Sequence, residues 1–337
     1  MSSMTVRIGY TRILVAVDFS PYAEAALKQA VWLAPQMGAT ITLAHALPHL
    51  LPPQKLNAPV PKMKMLTDLL NVSGEGARYE AFERETRQHA DAKLRHLVDQ
   101  YATNIDVQFK VLQGEPFVEI IHTVQQEGYD LVLAGTRGLA AWQQFFVGST
   151  AKRLIRKCPS SVWIVKTEHG EPPKRVLAAT DFSEVSRRAA REGLSIARQA
   201  GAEFHLLHVI DSMDMPEDAV AKMPQGSSLR REINEEAKER LDGFVESLHT
   251  EPSRIHRHLS WGTPWKDIGR LVQRLKIDLI AIGTVGRSGV KGLFLGNTAE
   301  KVLGTCDCSI LTVKPADFVS PIEPSLRQSQ PVRPAGP

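Results

Sequence analysis

Short apolar runs alternate with longer stretches whose apolar positions recur at helical spacing. Arg12–Val17 (RILVAV), Thr40–Ala46, Ile105–Leu112, Asp130–Ala134 (DLVLA) and Ser161–Lys166 are runs of the first kind. Such runs, lacking polar alternation, are expected of strands covered on both faces, as in a parallel sheet. Between the first two lies a helical stretch with Ser20 as N-cap, Pro21 at its first position and Gly38 as its stop. Pro35 is expected to distort its last turn. Arg78–Tyr101 reads as a long charged amphipathic helix with Phe82, Ala90, Leu94, Leu97 and Val98 on its buried side. Pro116–Gln126 and Gly148–Lys157 complete four helices to five strands.

The same order then returns. Arg12–Leu47 aligns without gaps to Arg175–Ile210, and Gly114–Lys166 aligns to Gly262–Lys314. Strands of the second copy fall at Arg175–Thr180, Glu203–Ile210, Arg254–Ser260, Asp278–Ile282 and Ser309–Lys314. The period is too long for a solenoid, so two whole domains are expected: 1–166, a linker at 167–174, 175–315, and a disordered tail at 316–337 rich in Pro, Ser and Gln. Pro48–Gly76 is long for a connection and reads as a lid or a mobile loop; Asp211–Ser228 is its shorter counterpart. The alternation predicts an α/β fold, two tandem open five-stranded parallel sheets of Rossmann-like type, with ligand at the carboxyl ends of the strands.

The strand Asp130–Ala134 leads into GTRGLAAWQQFFVGSTA, with Gly135, Gly138 and Gly148 spaced G-x2-G-x9-G and followed by Ser149 and Thr150. Glycines here leave room for a ligand beside the main chain. Amides at Gly148, Ser149 and Thr150 would open a helix without intrahelical acceptors and suit a phosphate. The bland alternative is a glycine-rich turn that only closes a βα unit. A second copy follows Asp278–Ile282, with Gly283, Gly286, Gly296, Asn297 and Thr298 in the matching places.

Both stretches resemble the signature loop of the universal stress protein family, whose ATP-binding members carry G-x2-G-x9-G-[ST]. The first copy matches in full; the second departs at Asn297. The resemblance implies an adenine nucleotide alpha hydrolase-like sheet with strands one and four side by side. It implies ATP, with or without Mg2+, as ligand. Asp18 would lie beside adenine and ribose, or cap the local turn, or both, and main chain at Val17 and Ala46 would line the base pocket. Arg137 would reach phosphate or sit in solvent. Thr180, Asp181 and Val209 take these places in a weaker second site, where Asn297 is bulkier and Glu300 replaces Lys152 near the helix start. It further implies pairing of the domains through their last strands, a possible homodimer, and a role as stress-response regulator or sensor.

Composition excludes more than it identifies. With 41 basic and 37 acidic residues, net +4, nothing argues for nucleic acid or an anionic membrane as partner. No apolar stretch is long enough to span a bilayer, and three cysteines make no disulfide framework, so a cytoplasmic, reduced protein is expected. His205, His208, His256 and His258 sit on neighbouring strands; packing is the first reading and a metal site the alternative. Cys158, Cys306 and Cys308 read as buried packing or as a redox switch. There is no Walker lysine, no G-x-S-x-G and no H-E-x-x-H. A slow ATPase, with Asp18 and Arg137 as its only candidates, stays open beside a nucleotide-free interaction module and a related flavoprotein.

Overall fold

The computed structural model describes residues 9–48, 75–136, 147–211, 227–249, 254–285, 295–324 and 333–334. The first copy runs β1 (Arg12–Ala16), α1 (Pro21–Met37), β2 (Thr40–Leu47), α2 (Glu75–Tyr101), β3 (Val107–Gln113), α3 (Pro116–Glu127), β4 (Leu131–Gly135), α4 (Ser149–Lys157) and β5 (Ser161–Val165). The second runs β6 (Arg175–Thr180), α5 (Glu184–Ala200), β7 (Glu203–Asp211), α6 (Ser228–Glu246), β8 (Ile255–Gly262), α7 (Pro264–Leu275), β9 (Leu279–Gly283), α8 (Asn297–Thr305) and β10 (Ser309–Val313). A last strand, β11, is Arg333–Pro334.

Local chemistry explains the first helix of each copy. Ser20 Oγ accepts from Ala23 N–H (3.2 Å) and Ser183 Oγ from Ser186 N–H (3.2 Å), so each serine caps an orphan amide. Gly38 (φ 67°) and Gly201 (φ 61°) end α1 and α5 in the left-handed region, where a glycine carries no steric penalty. Pro35 lies inside α1, two residues from its end, and the helix runs on past it to Met37.

All strands join one sheet in the order β11-β3-β2-β1-β4-β5-β10-β9-β6-β7-β8. Strands one and four of each copy are neighbours: Ile13–Ala16 pair with Leu131–Ala134, and Val176–Ala178 with Leu279–Ala281. The copies join through β5 and β10, which run antiparallel with Trp163 opposite Leu311. Helices α1, α2, α5 and α6 cover one face and α3, α4, α7 and α8 the other, so each apolar layer spans both copies.

Lysines tighten the seam. Lys166, just after β5, donates to Leu303 O (2.7 Å) and Cys306 O (2.6 Å) at the end of α8. Lys314, just after β10, donates to Ile155 O at the end of α4. Each ammonium meets carbonyls that a helix C-terminus leaves unpaired. Burial pulls the Lys314 pKa down to about 8.

Two expectations change. Phe82 is 46% exposed, because none of the positions Ala81–His89 of α2 is buried; Ala90, Leu94, Leu97 and Val98 do face the core. Residues 315–324, expected within or beside a disordered tail, turn back over the first copy. Ser320 Oγ donates to Lys157 O (2.8 Å) and Gln125 Nε2 to Ile322 O (3.0 Å). Ile322 packs on the apolar layer under α3 and α4, and Arg333 pairs with Phe109 at the sheet edge. One aliphatic anchor and a few main-chain acceptors outweigh the polar composition that argued for disorder. Most of the expected lid, residues 49–74, lies outside the described residues.

Candidate functional site

The strand order reverses between β1 and β4, and the candidate site is the region outside the carboxyl ends of the strands there. Val17 N–H extends the ladder to Ala44 O (2.8 Å), placing Val17 and then Asp18 at its lip, beside Ala46 near the end of β2. Asp18 Oδ1 accepts from Ser20 N–H (3.1 Å) and from Ser20 Oγ–H (2.6 Å). The turn-capping role of Asp18 is therefore present. Its Oδ2 has no hydrogen-bond partner among the described residues, and a carboxylate oxygen so placed accepts from a hydroxyl or amine. Asp181 repeats the arrangement on Ser183 (3.0 and 2.6 Å).

The glycines differ from expectation. Gly135 is not in the left-handed region. A Cβ there would stand 2.8 Å from the main-chain carbon of Tyr22, so the close approach of α1 by itself requires glycine. At Gly283 the nearest atom would be Val185 Cγ1, at 2.9 Å. The Gly148 N–H donates to Thr136 O (2.7 Å) and the Gly296 N–H to Thr284 O (2.6 Å). Those two amides close the loop and are not offered outward, so the amides left open at the helix start begin one residue later. Gly148 takes the N-cap position of α4 without a side-chain cap, and Ser149 and Thr150 have no hydrogen-bond acceptor among the described residues. Arg137, Gly138 and Gly286 lie outside the described residues.

In the second copy the crevice is a cavity of about 460 Å³, within the range of small-molecule sites. Thr180, Asp181, Val209, Gly283, Gly296, Asn297 and Thr298 all line it. Helix α6 closes one side with Ile233, Glu236, Ala237 and Arg240. Glu300, which stands where the first copy has Lys152, is paired with Arg156 across the seam. Its charge is thus shared with a cation from the other copy.

A repeated stack at the lip was missed from sequence. His45 Nδ1 donates to Val17 O (2.7 Å) and His208 Nδ1 to Thr180 O (2.9 Å). Burial lowers the His45 pKa, which keeps the ring neutral. Each histidine ring rests on a phenylalanine with positive φ, Phe19 (61°) and Phe182 (67°), at 4.4 and 4.1 Å. A cation also lies over each phenylalanine ring: Lys93 over Phe19 (5.3 Å) and Arg240 over Phe182 (4.6 Å). The twice-repeated Asp-Phe-Ser and the in-register histidine were the available signal; the cations come from α2 and α6, whose approach is a tertiary matter.

The remaining histidines form a separate set. His205 stacks on His256 (4.9 Å) and shares a ring–ring hydrogen bond with His258 (3.1 Å). Among the described residues no group of three or more His, Cys, Asp or Glu is placed to hold a metal. All three cysteines are free and buried, and burial pushes Cys158 up to about 12, far from a reactive thiolate. No helix among the described residues is long and apolar enough to cross a membrane.

Two α/β copies, each with strands one and four side by side in a mostly parallel sheet, define a tandem Rossmann-like protein. The profile of the universal stress protein family matches residues 9–166 and 172–314, and the chain belongs to that family. It is similar to universal stress protein E of Escherichia coli K12, at 25% identity, covering 93% of this chain and 97% of that one. A Haemophilus influenzae homologue of the same protein is 27% identical, over 76% of this chain and 87% of its own. A universal stress protein structure from Pseudomonas aeruginosa shares the fold, with a TM-score of 0.61 at 21% identity over 93% of this chain and 96% of that one.

Proposed function

We propose that the chain binds an adenine nucleotide, ATP with or without Mg2+, chiefly in the first-copy crevice, and serves a stress response through occupancy of that site. The observation carrying this is the start of α4. There Ser149 and Thr150 present main-chain and hydroxyl donors without partners among the described residues, and the Oδ2 of Asp18, which follows the neighbouring strand β1, is likewise unpaired among them. A helix N-terminus adds roughly 0.3–1 kcal/mol per favourable charge, before the hydrogen bonds themselves. Family membership supports the stress-response role. The second copy binds more weakly, since Asn297 replaces the serine and no cation takes the place of Lys152.

Calorimetric titration of the full chain with ATP tests the reading, with mass analysis of small molecules released on denaturation. Ser149→Glu, which puts a carboxylate at the cradle, is expected to abolish the tight phase. Exchanging the two helix starts, Ser149→Asn with Asn297→Ser, is expected to shift each site about tenfold in opposite directions, roughly 1.4 kcal/mol. Unchanged ATP affinity in Ser149→Glu would overturn the site.

A further inference from the structure

The groove between the third and fourth helices of a copy occurs twice, in two states. Between α3 and α4 it is covered by the chain's own C-terminal segment. Gln125 Nε2 donates to Ile322 O (3.0 Å), His122 Nε2 bonds Glu323 O (3.1 Å), and Ser320 Oγ donates to Lys157 O (2.8 Å). Ile322 rests on the apolar layer beneath. In the gapless alignment of the copies, the counterparts of His122, Gln125 and Lys157 are Arg270, Gln273 and Thr305. All three line an open groove of about 670 Å³ between α7 and α8. His122 and Gln125 are half-buried, whereas Arg270 and Gln273 are exposed.

Connectivity explains the difference. The segment leaving β5 touches this groove at Thr167 but must reach β6 by Arg175. It turns away at Gly170 (φ 68°), which lies against Lys28 and Ala25 of α1. The segment leaving β10 has no later strand of its own copy to enter, so it continues along its groove.

The open groove has also changed charge. Where the first copy has Val118, His122 and Gly128, the second has Lys266, Arg270 and Lys276, all lining it. Of the two acidic lining residues, Asp278 already accepts from the Lys174 and Arg175 amides (2.9 and 2.8 Å). Arg270 gives one nitrogen to Asp267 (3.0 Å) while its side chain stays 73% exposed.

We propose that the α7–α8 groove docks an extended, acidic peptide segment of a partner protein. Its main-chain carbonyls lie on Gln273 and Arg270, an aliphatic side chain sits between the helices, and its carboxylates face Lys266 and Lys276. The first-copy groove, holding a segment of polypeptide in the same place, favours a peptide over other polyanions. The proposal does not depend on nucleotide binding.

The probe is a fluorescein-labelled synthetic peptide with the sequence of residues 317–325 (DFVSPIEPS), followed by anisotropy on the full chain. Saturable binding is expected, weakening as salt screens the charges. Arg270→Glu with Gln273→Ala is expected to weaken it at least about tenfold, and so is aspartate in place of the peptide's isoleucine. His122→Ala with Gln125→Ala should leave it unchanged. Melting curves confirm that the variants fold; both α7 changes are at exposed positions. Three results overturn the proposal: no saturation at millimolar peptide, equal affinity for the α7 variant, or cross-links that map to α3 and α4. Concentration-dependent dimers abolished by Arg270→Glu would assign the groove to a second copy of this chain and equally overturn a partner protein.

Discussion

The two copies solve one packing problem differently where strand two meets strand three. In the first, Lys110 on β3 is buried and paired with Glu127, and Tyr129 donates to Thr42 (2.9 Å). At the register positions of Thr42 and Lys110 the second copy has His205 and His258, which bond to each other. A permanent ion pair has become a pair of neutral rings. Burial, then the neighbouring His205, pulls His258 down to about 4. His256, stacked on His205 at 4.9 Å, with Arg175 and Arg274 adds positive charge around the pair, and Glu203 opposes it. Loss of stability as histidines of this pair take up protons is therefore expected in the second copy; the first has no histidine at these places.

Three experiments sharpen that comparison. The largest effect is expected at the seam. Lys314 has a pKa of about 8 in the folded chain against 10.5 for an ordinary lysine. Between those limits the unfolded chain holds a proton that the folded chain releases, so stability rises with pH through the window. Relative to Lys314→Met, the parent should gain about 3 kcal/mol in full between pH 8 and 10.5, read by urea unfolding. No gain would mean that the ammonium is solvated.

Next come the paired glycines. Gly135→Ala presses a methyl on rigid main chain of Tyr22 and should cost about 2–3 kcal/mol; Gly283→Ala meets the end of a valine side chain and should cost about 1. Equal costs in denaturant midpoints would contradict the tighter fit of α1.

The smallest is His258→Gln. Here the folded pKa lies below the unfolded one, so stability is present above pH 6.5 and lost as pH falls towards 4. The half-exposed site screens the effect, leaving about 1–2 kcal/mol, which the variant should remove. Hydrogen exchange at pH 5 should show β7 and β8 opening before β2 and β3.

Much of this architecture was legible in the chain. The five strands and four helices of each copy follow from apolar runs and from caps such as Ser20 and Gly38, all of them local signals. The repeat pointed to the second-copy cavity, which Asp181 and Asn297 line, and to the matching places of Asp18 and Ser149 in the first copy. The close approach of Tyr22 to Gly135 was not legible, because Tyr22 comes from another element. The tail misled because composition does not reveal one well-placed isoleucine over an apolar groove.

What the linear order settled by itself is the kind and succession of elements, since helix and strand periods, caps and stops act over a few residues. What needed the folded chain is every feature made by residues far apart: the antiparallel seam, Lys166 and Lys314 reaching the opposite copy's helix ends, the cation–phenylalanine–histidine stacks, and a groove filled in one copy and open in the other. Those depend on where the chain must go next, and a connection constrained to reach β6 cannot also lie where a free C-terminal segment can.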